Sequence, residues 1–140
     1  MPLGLKVSFE KPPVYDNVCA AFGIIPRNTF FTYGDTVYNP DRIMMPLDIV
    51  EHEKVHMEQQ DHSEAGAEIW WGKYLRDPVF RIDQEGRAYG IQYKFVCSII
   101  KDREQRNRAL MRMVGSLSGP LYQNAIGQAE AIEMIKYYAK

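Results

Sequence analysis

Cysteine is scarce and unpatterned in this sequence: Cys19 and Cys97 form no C-x-x-C pair, so neither a disulfide framework nor a cysteine-based metal site has a basis. Both thiols are expected buried and reduced. Excess charge is lacking too. A net charge of −1 provides no general field for nucleic acid or an anionic membrane, and neither is expected as a partner. There is no Pro/Gly/Ser tract, no acidic block, no linker and no internal repeat, so the 140 residues read as one folded domain, 1–140. The opening MPLGLKVSFEK holds no apolar run of signal-peptide length, and no later stretch approaches the roughly 18 apolar residues of a membrane span. The expectation is a chain that is cytoplasmic at synthesis. Histidine is equally sparse, and its distribution is the first positive signal: all three histidines fall between positions 52 and 62, in HEKVHMEQQDH.

The pattern of apolar residues and breakers indicates α+β, a small early sheet followed by mostly helix. LKVSFE alternates as a strand, and VYDNVCAAFG suits a short helix ending at Gly23. TFFTY and TVYNP flank Gly34-Asp35 as a β-hairpin. Pro46 opens a helix through LDIVEHEKVHMEQQ, and a second covers Glu64 to Leu75 until Asp77-Pro78 breaks it. A third is expected to be capped by Asp83 and to run from Gln84 to about Lys101, burying Ala88, Ile91, Phe95 and Ile99. Leu110, Met113, Val114 and Leu117 mark a fourth helix that ends at Ser118-Gly119-Pro120. Ala125, Ala129, Ile132, Ile135 and Ala139 mark the last. Trp70 and Trp71 are expected in the core.

Residues four apart on a helix lie about 40° apart around its axis, so His52 and His56 can aim their imidazoles at one point. That geometry suits a metal, and zinc accepts imidazole nitrogen at about 2.0 to 2.1 Å. Glu53 projects beside the pair, where it could reach an attacking water as general base without being a ligand. Catalytic zinc needs a third protein ligand. His62 has the spacing of the third histidine of H-E-x-x-H-x-x-G-x-x-H, but Gln59 stands where that pattern needs a glycine to leave the helix. Glu85, on a downstream helix with Tyr89 and Gln92 on the same face, is the stronger candidate.

With HEKVHMEQQ, the hairpin YGDTVYNP, WWGKYL with DPVFR, and EGRAYGIQ in hand, the sequence resembles the gluzincin branch of the zincin metallopeptidases. More narrowly, it resembles the small H-E-x-x-H-x-x-Q domains of bacteria and their phages. The resemblance covers about residues 29 to 93. It implies a zincin-like fold, Zn²⁺ held by His52, His56 and Glu85, Glu53 as the base, and Gln59 as the glutamine of the extended motif. It also implies a peptide or protein substrate, with the strand from Thr36 to Tyr38 pairing to extended peptide. Thermolysin-like enzymes have an aspartate four residues after the glutamate ligand that orients a histidine. Here Tyr89 stands in its place, so the histidine's support must come from elsewhere and Tyr89 becomes a candidate for holding the oxyanion. Arg87 is a further oxyanion candidate.

The expected activity is zinc-dependent peptide hydrolysis. The alternative is a non-catalytic phage or bacterial structural protein that retains the fold and metal site, virion-associated or engaged with an assembly partner or a second copy of itself. KDREQRNRALMR, with five positive and two negative side chains, reads as a solvated helix face rather than a nucleic-acid site.

Overall fold

The structure, a computed structural model, describes residues 5–140. It is α+β: a three-stranded sheet built from the first forty residues, with six helices among the described residues, five of them following the sheet. The chain divides into two compact units, residues 1–77 and 78–140.

In the first unit, β1 (Lys6–Ser8) leads to α1 (Tyr15–Phe22), which stops at Gly23, and then to the hairpin of β2 (Phe31–Tyr33) and β3 (Thr36–Tyr38). Gly34 takes a φ of 64°, which a two-residue hairpin loop with glycine in its first position requires. β2 pairs antiparallel to β3, with Thr32 opposite Val37, while β1 pairs parallel to β3 on its other side. The sheet order is therefore β1-β3-β2. That order overturns one expectation. Thr36 to Tyr38 form the central strand, with both edges already paired, so this strand has no free backbone edge to offer an extended peptide.

α2 (Leu47–Gln59) follows, with Pro46 at its N-cap in extended conformation. Its inner face is mixed: Val50 and Met57 join Leu5 and Val37 in a core cluster, while His52, Glu53 and His56 are buried beside them. α3 (Glu64–Arg76) is capped by Ser63, whose hydroxyl accepts from the Gly66 N–H at 3.0 Å. It buries Trp70, Trp71 and Tyr74, as the sequence suggests for the tryptophans, and Tyr74 meets Phe22 of α1 edge-on. Asp77 is extended and ends the helix.

The second unit holds α4 (Pro78–Ile99), α5 (Arg103–Leu117), a 3-10 turn at Pro120–Tyr122 and α6 (Gln128–Tyr138). α4 starts six residues before the expected Gln84, because Pro78 is tolerated in a first turn, where its missing N–H has no helical partner to lose. Asp83 is then not a cap. It lies inside the helix, accepting from Arg87 Nε at 2.9 Å and from the Tyr138 hydroxyl at 2.6 Å. Of the four residues expected in the core, Ala88 is buried and Phe95 half-buried, whereas Ile91 and Ile99 are exposed; the buried face also carries Ile82, Glu85, Gly86, Tyr89, Gln92 and Val96. Gly86 and Gly90 let α6 approach: an added Cβ would lie 2.2 Å from Met134 Sδ at the first and 2.8 Å from the Tyr138 carbonyl carbon at the second. Leu110, Met113, Val114 and Leu117 are all buried, as their spacing predicts. On α6 the buried residues are Ala131 and Ile135, whereas Ala125 precedes the helix and both it and Ala129 are exposed. Cys19 and Cys97 are free thiols and half-buried rather than fully buried. No helix among the described residues is long and apolar enough to cross a membrane.

Candidate metal centre

α2 carries the site because His52, Glu53 and His56 fall on its buried side. His52 and His56, one turn apart, are 6% and 5% exposed, and their Nε2 atoms face each other at 3.1 Å. Two imidazoles so placed fix each other's possible states. His56 Nδ1 lies 2.8 Å from Gln59 Oε1 and donates to it, which leaves the Nε2 lone pair of His56 directed at His52. Gln59 thus orients the His56 ring, a support that an aspartate gives in thermolysin-like enzymes. Its signal was legible as the i+3 position of the motif. The Trp70 ring, tilted against His56 with 5.3 Å between centroids, closes the other side.

Glu53 points into the same place. His52, Glu53 and His56 each offer a ligand atom, all within 4.8 Å of one another and all buried. Glu53 Oε1 accepts from the Thr32 hydroxyl at 3.0 Å, and Oε2 stands 3.8 Å from His52 Nε2. Thr32, which sequence reasoning passed over, is the link between hairpin and helix. Its carbonyl, on the outer edge of β2, accepts from Gln60 Nε2 at 2.8 Å and from Trp71 Nε1 at 2.9 Å. Gln60 Oε1 in turn accepts from the Gly34 N–H at 2.8 Å, and the side chain is 1% exposed. Gln60 and Trp71 therefore occupy the outer edge of β2 at Thr32 and hold Glu53's hydrogen-bond donor in place.

The remaining candidates are distributed as follows. The chain does leave the helix after Gln60, without glycine: Asp61 and His62 both take left-handed φ (58° and 54°), and the His62 N–H reaches back to Met57 O at 3.2 Å. His62 is nevertheless not brought to the pair. Its Nε2 lies 2.9 Å from Glu58 Oε1, and its side chain is half exposed. Glu85 and Tyr89 are in the second unit, both buried, and the Tyr89 hydroxyl lies 3.2 Å from that of Tyr122. Arg87 is exposed and engaged with Asp83, and its guanidinium stacks over Tyr138. The buried arginine is Arg81, 2% exposed, with Nη1 3.3 Å from Gln123 Oε1. The basic run lies largely on α5, where Arg106 donates to the carbonyls of Ile100 and Cys97 and Arg108 pairs with Glu104 at 2.8 Å.

No protein-family model, curated protein or solved structure matches this chain. The geometry of the site stands by itself. Two neighbouring ligands on tetrahedral zinc lie roughly 3.3 Å apart, and the 3.1 Å between the histidine nitrogens fits two vertices of such a site. His52, Glu53 and His56 together form a buried group that could hold a metal ion.

Proposed function

We propose that the protein is a zinc-dependent peptide hydrolase of zincin type. The observation that carries this reading is the buried pair of imidazole nitrogens at 3.1 Å with the Glu53 carboxylate anchored beside it. His52 and His56 would hold the ion through Nε2, with Glu85, the carboxylate favoured by the sequence pattern, as the third ligand. Bound zinc supplies a lowered pKa for water and polarisation of a peptide carbonyl. Glu53 acts as the base. Its Oε2 lies 3.8 Å from His52 Nε2, wider than the roughly 3.3 Å between adjacent tetrahedral ligands, which favours proton transfer over coordination. Its carboxylate, oriented by the Thr32 hydroxyl, accepts a proton from the attacking water and returns it to the leaving amine.

Glu53→Gln keeps the shape and removes the base. This variant is expected to retain zinc and thermal stability while metal-dependent hydrolysis of a peptide library falls by about 10² to 10⁴. Absence of turnover by zinc-loaded wild type, with the two proteins equally stable, would instead favour a structural or assembly protein that keeps a metal site. Incubation with lysate of its own host extends the same comparison to a narrow natural substrate.

A further inference from the structure

The hairpin register divides its side chains between two faces of the sheet. Thr32 and Val37 point to the face covered by α2, where Thr32 meets Glu53 and Val37 packs with Val50 and Met57. Phe31, Tyr33, Thr36 and Tyr38 point to the opposite face. There, away from the histidine pair, an open groove of about 350 Å³ is lined by Tyr33, Tyr38, Thr36, Pro13, His62 and Glu64. The size is at the lower end of ligand-binding clefts, enough for one long side chain and the backbone that carries it.

Its chemistry is consistent in sign. Tyr33 and Tyr38 provide two aromatic rings, and the carboxylates of Asp35 and Glu64 line the same groove. Burial, followed by Glu64 and Glu68, holds the Tyr33 phenol above its ordinary pKa, and burial, followed by Asp35, Glu10 and Glu64, does the same for Tyr38. Lys6 opposes this at Tyr38, but its ammonium is held by Asp35 at 3.0 Å. An aromatic wall with carboxylates at its rim attracts an alkyl cation twice, through the ring faces and through charge.

We propose that this groove binds the lysine or arginine side chain of an extended basic peptide, with the alkyl stem against Tyr33 and Tyr38 and the cation at Glu64. The site is independent of the hydrolase reading, because it lies on the other face of the sheet and involves none of His52, Glu53, His56 and Glu85. A short lysine peptide, titrated calorimetrically at low salt, is expected to bind about tenfold more tightly than the same peptide with norleucine and to shift the amide resonances of Gly34 and Tyr38. Glu64→Gln is expected to weaken it about fivefold, and Tyr33→Leu by a similar factor, with the circular dichroism of both variants unchanged. Equal affinity for the norleucine peptide, unaltered binding by Glu64→Gln, or shifts located elsewhere would overturn the assignment. Equal affinity for free spermidine would overturn its peptide part. Because the readout is binding, an inactive metal centre would leave the result unaffected.

Discussion

Gln59 would support the proposed metal centre without itself being a ligand. By accepting from His56 Nδ1 at 2.8 Å it sets the tautomer and the ring orientation together. Gln59→Ala should therefore lower zinc affinity about tenfold to a hundredfold, measured by competition with a chromophoric chelator, while the far-ultraviolet spectrum stays unchanged. Gln59→Glu, which keeps an acceptor at the same reach, should recover most of it. An unaltered zinc affinity in the alanine variant would remove Gln59 from the site. The His52, Glu53 and His56 cluster was legible because residues on one helix obey the helical period, whereas the hydrogen bond from His56 to Gln59 was not read from the motif. Thr32, Gln60 and Trp71 were not legible, since each acts across a sequence separation of 21 or more residues, to Glu53, Gly34 and Thr32. Periodicity carries no information at that range.

Packing of α4 against α6 combines close approach at Gly86 and Gly90 with one polar fastening, Asp83 between Arg87 and Tyr138. Burial pushes the Asp83 carboxyl up, but the hydrogen bonds from Tyr138 and Arg87 outweigh it, and the net pKa is lowered. A carboxyl with a lowered folded pKa stabilises above its unfolded value near 3.9 and loses that contribution as pH falls through the folded value. Tyr138 is raised, by the Asp83 hydrogen bond first and then by burial. Its contribution is present below pH of about 10 and is lost as pH rises through the folded pKa. Asp83→Asn should consequently flatten the acid limb of stability below about pH 4, with urea melts of wild type and variant converging there. Parallel acid limbs would show that the fastening contributes nothing. The elements themselves were largely readable, since hairpin, breakers and apolar spacing are local. The face of α4 was read only in part: Ala88 is buried as expected, but Ile91 and Ile99 are not, because the buried side also holds Glu85, Tyr89 and Gln92 and an apolar-stripe argument rotates such a helix away from them. The parallel pairing of β1 with β3 was also beyond reach, because it depends on a crossover and not on either strand's own residues.

At the scale of the molecule, a chain without linkers reads as one domain, and within it two compact units meet in sequence at Asp77-Pro78. The proposed ligands fall in both: His52 and His56 in the first, Glu85 in the second. An ion that binds only the folded forms of its ligands stabilises whatever must be folded to present them, by about 2.7 kcal/mol when zinc is at a hundred times its Kd. Zinc should therefore protect both units. The two tryptophans, Trp70 and Trp71, belong to the first and report it by fluorescence, while hydrogen exchange on α5 and α6 reports the second. Wild type is expected to gain protection by both probes on adding zinc. His52→Ala should lose both gains, and Glu85→Ala should lose the gain on α5 and α6 and lower zinc stoichiometry by elemental analysis. If Glu85→Ala still binds one zinc per chain and zinc still slows exchange in α5 and α6, Glu85 is not a ligand, and a carboxylate or histidine elsewhere must complete the centre. His62→Ala, with its imidazole already held by Glu58, should leave the stoichiometry at one in the same experiment.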